Sequence, residues 1–246
     1  MLTRERERES SSASQSIKTK NAKQGGFVGL ELGLGIANVN YIQIDNTTGK
    51  TYELYKKTYP HFPINFQFGY QWYFTQTMGL RLKGYVGYSN YFKEVLREKG
   101  YDADIDPDTN LPYGNYDFAY ITNIHAIQYG AELAYIWDFL EKGKHTLGLD
   151  IAPLGFEGST YFGKLKAQFS GDSSNGSQTM DLTSYTKGAY TASIGLHYYY
   201  NVNHQVFLSY KLRTYSNKAG QKLKTSGAIV STASNHAILL GYAYKF

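Results

Sequence analysis

The sequence predicts an all-β fold, a membrane-spanning up-and-down antiparallel β-barrel of eight strands, from three observations. Eight segments carry large apolar residues at every second position, and strand side chains alternate between two faces with the same period. The connections alternate in length, which gives four long outer loops and three short periplasmic turns. Most segments reach the roughly 11 residues that cross an apolar band of about 25 Å at a tilt near 40°.

The eight candidate strands are bounded by turn and loop signals. In chain order they cover residues 26–44, 60–73, 79–92, 118–138, 145–162, 186–200, 204–216 and 234–246. The long connections lie at 45–59, 93–117, 163–185 and 217–233, and the short ones are FTQTMG (74–79), FLEKGKH (139–145) and NVNH (201–204). A barrel inserted from one side of a membrane has its short turns in the periplasm and its long loops outside.

The two faces of the strands differ in the same way along the chain. We assign the face with the large residues to lipid: Leu30, Leu32, Leu34, Ile36, Ile64, Phe66, Phe68, Tyr70, Trp72, Leu80, Leu82, Val86, Ile127, Tyr129, Leu133, Tyr135, Trp137, Leu147, Leu149, Ile151, Ile194, Leu196, Tyr198, Tyr200, Leu208, Tyr210 and Leu212. The opposite face is polar and is assigned to the interior: Glu31, Asn65, Gln67, Gln71, Arg81, Lys83, Gln128, Glu132, Asp150, Ser193, His197, Ser209, Lys211 and Arg213. A lipocalin has the reverse arrangement, with an apolar cavity and a hydrated outside. An aromatic-rich soluble sandwich remains the alternative fold.

Composition excludes several other classes of protein. The chain has no cysteine, so neither disulfides nor thiolate metal sites can form. Its formal charge of +5 is spread along the chain rather than clustered with stacking aromatics, which argues against binding to nucleic acid. No stretch reaches the roughly 18 apolar residues that a membrane-spanning helix requires.

The first 24 residues, MLTRERERESSSASQSIKTKNAKQ, are charged and rich in serine. We expect a disordered tail at 1–24 and the transmembrane β-barrel over 25–246. The tail lacks the apolar middle of a secretory signal. For an exported protein we therefore expect the signal to lie outside this sequence.

Aromatic residues cluster beside the short turns, where we place an aromatic girdle formed by Trp72, Trp137, Tyr198, Tyr200 and Tyr244. Amphipathic rings of this kind suit the headgroup level of a membrane.

The chain ends in ILLGYAYKF, whose apolar residues alternate up to the final Phe246. This end resembles the C-terminal recognition signal of bacterial outer-membrane proteins, which the barrel-assembly machinery reads. The resemblance assigns Tyr242, Tyr244 and Phe246 to an assembly signal.

Two segments resemble the Helicobacter outer membrane protein family. They are GAELAYIWDFLEKGKHTLGLDIA at 130–152 and NHAILLGYAYKF at 235–246. The resemblance covers about the last half of the chain, and it implies a barrel in the bacterial outer membrane. Larger members of the family add a big N-terminal surface domain that serves adhesion, and the present sequence lacks the length for that domain.

Charged residues on the inward face are expected to pair with one another. We assign an interior ion network to Glu31, Arg81, Lys83, Glu132, Asp150, Lys211 and Arg213. The first five are expected in the periplasmic half of the interior, and the last two lie higher on their strand. Because an eight-stranded barrel leaves little room for water, paired charges that plug the interior are favoured over charges that line a water-filled pore.

Candidate catalytic and metal-binding residues are few. His61 and His125 lie near outer strand ends, and neither has a serine two residues away that could serve as a nucleophile. We interpret the histidines at strand ends as surface residues and His197 as an interior hydrogen-bonding residue. Asp102, Asp104, Asp106 and Asp108 alternate as Ca²⁺ ligands can, but the glycine and glutamate of an EF-hand loop are missing, so a solvated acidic loop is predicted. We expect no metal and no other cofactor.

The sequence therefore predicts a non-enzymatic outer-membrane barrel with a side-chain-filled interior. Its predicted role is structural, or a loop-mediated and adhesin-like surface interaction. A narrow porin-like channel and a lipid-modifying outer-membrane enzyme are the alternatives. The expected partners are outer-membrane lipid and lipopolysaccharide, together with the barrel-assembly machinery during biogenesis. The extracellular ligand of the loops and the oligomeric state cannot be inferred from the sequence.

Overall fold

The computed structural model describes residues 22–44, 51–105, 112–171, 175–215, 221–222 and 228–246. These residues form ten strands: β1 (Gly25–Ile44), β2 (Thr51–His61), β3 (Ile64–Tyr73), β4 (Met78–Ile105), β5 (Pro112–Lys142), β6 (His145–Gly171), β7 (Asn175–Tyr200), β8 (His204–Tyr215), β9 (Gln221–Lys222) and β10 (Ala228–Lys245). No helix in this part of the chain is long and apolar enough to cross a membrane.

The strands form one antiparallel sheet that closes on itself, because β1 pairs with β10. β2 and β3 pair with successive parts of β1, so together they occupy one position in the ring. β8 and β9 pair with successive parts of β10 and share a position in the same way. The ten strands therefore form a closed ring with eight positions. The break between β2 and β3 contains Pro63, which has no backbone N–H for the ladder. Within the predicted apolar band each strand pairs with a neighbour on both sides, so no unpaired edge meets a membrane that could not hydrate it. The predicted all-β up-and-down barrel is confirmed.

Side chains alternate between the two surfaces of the ring as predicted. Leu32 on the outer surface is 59% exposed, whereas its neighbour Glu31 is fully buried in the interior. The predicted lipid-facing residues are exposed except for Tyr135, Leu147 and Leu149, which are half-buried. The outer surface is thus a continuous apolar band.

The outer connections differ from the loops that the sequence predicted. Strand pairing continues far into 93–117 and 163–185, since β4 ends only at Ile105, β6 at Gly171, and their partners start at Pro112 and Asn175. β2 likewise begins at Thr51 and β10 at Ala228. The outer connections are therefore long hairpins. The predicted strands were too short because the backbone hydrogen bonds between strands continue beyond the apolar band.

The short turns lie where they were predicted. Residues 74–77, 143–144 and 201–203 connect β3 to β4, β5 to β6 and β7 to β8. Gly143 has a φ of 61°, which glycine adopts without strain. Asn201 and Val202 have φ angles of 51° and 66°, and a β-branched residue such as Val202 is strained in that region.

A β-bulge in β6 changes which residues face inward. The register between β6 and β7 shifts between Ala152 and Gly155, and Pro153 lies inside this irregular stretch. Bulges are among the few places where a strand tolerates proline. Beyond the bulge Phe156 lies on the outer surface and Glu157 is buried in the interior.

The N-terminal boundary of the ordered barrel lies slightly before β1. Residues 22–24 are described, although the sequence placed them in the tail; residues 1–21 lie outside the described part of the chain. Lys23 is only 2% exposed and enters the periplasmic end of the barrel. Its backbone carbonyl accepts a hydrogen bond from Gln71 Nε2 at 2.7 Å.

Candidate functional site

The middle of the barrel interior contains a central cluster of charged side chains: Glu31, Lys83, Tyr85, Glu132, Glu157, Lys211 and Arg213. Lys83 Nζ lies 3.0 Å from Glu31 Oε1 and 3.1 Å from Glu132 Oε2. Lys211 Nζ lies 2.7 Å from Glu132 Oε1 and 4.0 Å from the centre of the Tyr85 ring. Each carboxylate here has a cationic partner, so the charges neutralise one another within the barrel wall.

Tyr85 joins the Arg213–Glu157 pair to the rest of the central cluster. Its hydroxyl donates to Glu157 Oε2 at 2.7 Å, and Arg213 Nε donates to Glu157 Oε1 at 2.8 Å. The side chains of Arg213 and Glu157 are both fully buried. Because a buried carboxylate needs both charge compensation and hydrogen bonds, these two donors account for the placement of Glu157.

A second group, the periplasmic cluster, consists of Lys23, Arg81, Asp138, Glu141, Asp150 and His197. Arg81 Nη1 donates to Asp150 Oδ2 at 2.8 Å, and Lys23 Nζ lies 2.6 Å from Asp138 Oδ2 and also pairs with Glu141. His197 lies between two carboxylates, with Nε2 2.7 Å from Asp138 Oδ1 and Nδ1 3.0 Å from Asp150 Oδ1. The periplasmic cluster closes this end of the interior and ties the N-terminal segment into it.

The predicted interior ion network is divided between these two clusters. Glu31, Lys83, Glu132, Lys211 and Arg213 lie in the central cluster, whereas Arg81 and Asp150 belong to the periplasmic cluster. A cavity of about 30 Å³ lies between the clusters, which is room for about two water molecules.

The charged residues of the interior that the sequence analysis missed include Glu157, Asp138 and Lys23. Glu157 was missed because the bulge at Pro153 reverses the alternation, and that proline was the available signal. Asp138 follows the outward-facing Trp137, so alternation alone would have placed it inside. Lys23 was missed because it lies in a segment with no strand pattern.

The outer part of the interior is apolar, although the sequence predicted a polar face throughout. We call this region the outer cap; its buried members are Ala37, Val39, Tyr59, Tyr91, Ile124, Ala126, Tyr161, Leu165 and Leu182. The Tyr161 ring packs between Tyr91 and Tyr185, with ring centres 5.9 and 5.8 Å apart. The prediction was wrong here because the inward face becomes apolar towards the outer ends of the predicted strands, as at Val39, Ile124 and Tyr161. It then continues into segments that were predicted as loops, as at Leu165 and Leu182. The outer cap closes the interior above the central cluster.

His61 lies beneath the outer cap and is not the surface residue that the sequence predicted. It is 1% exposed and stacks on Tyr91, and its ring nitrogens lie 2.6 Å from Ser89 Oγ and 2.5 Å from Ser234 Oγ. The barrel brings together serines that are distant in sequence, which a search for neighbouring serines could not find. The two serines are buried as completely as the histidine.

In the part of the chain that the structure describes, no group of three or more His, Asp or Glu residues is placed to hold a metal ion. Of the predicted acidic loop, Asp106 and Asp108 lie outside the residues that the structure describes.

The longest outer hairpin is formed by β4 and β5. Their ladder continues from the Asn90–His125 pair to the Ile105–Pro112 pair. Arg97 makes a two-pronged contact with Asp117, with Nη2 2.6 Å from Oδ2, and Lys99 Nζ lies 3.1 Å from the same oxygen. Hydrogen bonds from Arg97 lower the pKa of this exposed carboxyl to about 2. The hairpin therefore presents fixed charges outside the apolar band.

The predicted girdle residues lie on the outer surface beside the short turns. Trp72, Trp137, Tyr198, Tyr200 and Tyr244 are all exposed. The hydroxyls of Tyr198 and Tyr242 lie 2.5 and 2.7 Å from Nδ1 of His145 and His204, respectively. Phe246 is 70% exposed, and its backbone N–H donates to Gly26 O at 3.0 Å. The C-terminal residue thus pairs with the first strand.

A closed ring of strands with an apolar outer surface and a charged interior defines an integral outer-membrane β-barrel protein. The family model described as Helicobacter outer membrane protein matches residues 65–246. The chain belongs to this family, and its location is the bacterial outer membrane.

The chain also aligns with solved structures at low sequence identity and low TM-score. The attachment invasion locus protein Ail of Yersinia pestis is 14% identical, with 89% of this chain and 98% of that chain covered and a TM-score of 0.32. The outer membrane protein OprG of Pseudomonas aeruginosa is 13% identical over 90% and 96% of the two chains, with a TM-score of 0.39. The outer membrane protease OmpT of Escherichia coli is 12% identical over 90% and 97%, with a TM-score of 0.33. These values are too low to transfer a function, and no curated protein matches the chain.

Proposed function

We propose that the protein is a non-conducting barrel that holds rigid hairpins at the cell surface, where they serve an adhesin-like interaction. The observation that carries this proposal is the filling of the interior by the periplasmic cluster, the central cluster and the outer cap. Side chains occupy the interior from Lys23 at the periplasmic end to Tyr161 beneath the outer hairpins. A filled interior favours interaction at the outer surface over transport through the barrel.

The β4–β5 hairpin supports a role in surface interaction. From Asn90 to Ile105 it extends about 15 residues beyond the apolar band, roughly 50 Å of strand at about 3.3 Å per residue. Fixing each of these residues costs about 1–2 kcal/mol of backbone entropy, whereas a short turn would connect the same strands. Arg97, Lys99 and Tyr101 are exposed on the ordered ladder. Such a preordered, charged and aromatic surface binds a partner without a further ordering cost.

A planar-bilayer recording tests whether the interior is closed. Refolded wild-type protein should give no stepwise conductance, because ion pairs and aromatic rings fill the eight-stranded ring. Glu132→Gln should open small leaks, since it leaves Lys211 and Lys83 with fewer partners. Regular conductance steps in the wild type would contradict the proposal and favour the narrow channel.

A shortened hairpin tests the surface interaction. Replacing residues 97–119 by Asn-Gly leaves the Leu96–Tyr120 pair to close the ladder. Bacteria that display this variant should adhere less to cultured epithelial cells than bacteria that display the wild type. The matched control shortens the β6–β7 hairpin in the same way. Asn-Gly replaces residues 167–178, and the Lys166–Thr179 pair then closes the ladder. Equal adherence of the 97–119 variant and the wild type, at equal surface amounts, would refute the proposed role of this hairpin.

The proposal includes the partners that the outer surface requires. Outer-membrane lipid and lipopolysaccharide cover the apolar band, and the aromatic girdle fixes its depth at the headgroup level. The barrel-assembly machinery recognises the end of β10, where Tyr242, Tyr244 and Phe246 are exposed in a row. We propose no enzymatic role, because the contacts of His61 with Ser89 and Ser234 are buried under the outer cap.

A further inference from the structure

The two clusters of the interior balance their charges. In the periplasmic cluster the carboxylates of Asp138, Glu141 and Asp150 face Lys23, Arg81 and His197. Both ring nitrogens of His197 face carboxylate oxygens, so both carry protons and the ring is a cation. In the central cluster Glu31, Glu132 and Glu157 face Lys83, Lys211 and Arg213. Neither cluster therefore has a carboxylate to spare.

Lys187 is a further buried cation that belongs to neither cluster. It is 3% exposed, and within the described part of the chain no carboxylate forms an ion pair with it. Its Nζ lies 4.8 Å from the centre of the Tyr215 ring, a contact that is much weaker than an ion pair. The Tyr161–Tyr185 pair of β6 and β7 is the next inward-facing row and lies on the outer side of Lys187. The outer cap thus separates Lys187 from the cell exterior.

The side chains of Lys187 and Arg213 approach the same row of the sheet from its two ends. Glu157, Ala189 and Tyr215 lie opposite one another on β6, β7 and β8. Arg213 reaches Glu157 at one end of this row, and Lys187 lies over Tyr215 at the other. Two cations therefore flank a row that contains one carboxylate.

Unpaired hydrogen-bonding atoms lie beside this row. Nη1 and Nη2 of Arg213 and Nε2 of Gln128 are buried without an acceptor, and Oε1 of Gln128 is buried without a donor. Gln128 and Lys187 lie on either side of Ser159 in the next row of the sheet. Guanidinium nitrogens can only donate, so the group that satisfies them must be an acceptor.

We propose that the side chains of Gln128, Lys187, Arg213 and Tyr215 together bind a small monovalent anion of halide size. A water molecule could accept from Arg213, but it would bring no negative charge to Lys187. One anion supplies the missing negative charge and accepts from Arg213, Lys187 and the Gln128 amide together. Its role is to complete the charge balance beneath the outer cap and so keep the interior closed.

Bromide replacement locates the anion directly. Crystals of the wild-type protein grown in sodium bromide should show an anomalous peak within hydrogen-bonding distance of Lys187 Nζ and Arg213 Nη atoms. Crystals of Lys187→Gln grown in the same salt should lack this peak, and crystals of the exposed-site control Lys164→Gln should retain it. A wild-type map without the peak would overturn the proposal.

Thermal unfolding in detergent provides a second test that needs no crystals. Exchanging chloride for gluconate at constant ionic strength should lower the wild-type Tm by about 3–6 °C if chloride is present at about ten times its Kd. Lys164→Gln should show the same shift, whereas Lys187→Gln should show none. Equal Tm values of the wild-type protein in the two salts would also overturn the proposal.

Discussion

The costs of removing two paired charges from the central cluster should be strongly non-additive. The perturbation is Glu132→Gln, Lys211→Met and the two together. The Lys211 side chain is fully buried, the Glu132 side chain is 2% exposed, and their charged atoms lie 2.7 Å apart. Because neither group can turn to solvent, each single variant leaves a buried charge with too few partners.

The expected magnitudes follow from this geometry. Loss of one partner from a buried pair costs about 3–5 kcal/mol, so each single variant should lower the free energy of unfolding by about that amount. In the double variant both charges are gone and Lys83 keeps its 3.0 Å contact with Glu31. The double variant should therefore cost less than the two single costs added together, with a coupling of about 2–3 kcal/mol.

Urea unfolding of the refolded barrel in lipid vesicles measures these energies. The two tryptophans, Trp72 and Trp137, report on the transition by fluorescence. The control is the surface pair Arg97–Asp117, whose side chains are 48% and 25% exposed. The double-mutant cycle of Arg97→Gln and Asp117→Asn should give a coupling free energy below about 1 kcal/mol, because water screens an exposed pair. A coupling as small for Glu132 and Lys211 as for the surface pair would refute a dry, plugged interior.

Three further predictions concern the C-terminus, a turn and the outer hairpin. Deleting Phe246 should reduce the amount inserted in cells but leave refolding in vitro nearly unchanged, because its ring is 70% exposed; equal insertion of both forms would contradict the assembly signal. Val202→Gly should raise the free energy of unfolding by about 1 kcal/mol, since it relieves a valine at φ 66°; urea unfolding that gives no gain would argue against strain there. In a titration followed by NMR, Asp117 should stay ionised below pH 4 and protonate only near its pKa of about 2, where the contribution of the Arg97 contact to stability is lost; a midpoint near 4 would show that the contact does not form.

The fold could be predicted from the sequence because two simple rules act on every strand. Alternation fixes the face of each residue, and this rule alone places Leu32 on the outer surface and Glu31 in the interior. Short turns and long connections fix the order and direction of neighbours. Both rules depend on local sequence, which is why they succeed without knowledge of the barrel as a whole.

The partners within the interior could not be predicted in the same way. Pairing across a barrel depends on the stagger between strands, which places Lys211 against Glu132 and Arg213 against Glu157. The bulge at Pro153 adds one reversal that alternation does not include. His61 meets Ser89 and Ser234 through the same three-dimensional stagger, although the three residues lie on strands far apart in sequence.

The interior changes character along the barrel axis, and this change bears on the proposed function. Ion pairs fill the periplasmic and central parts, where a moving ion would have to break charge-assisted contacts near 3 Å. The outer cap above them is closed by tyrosine rings, which offer a passing ion little solvation. Conduction would require both layers to open together, whereas a loss of either one alone would still leave a barrier. Two barriers are redundant in a pore but suit a barrel that keeps the membrane sealed, which is why the proposed function rests on the β4–β5 hairpin rather than on the interior.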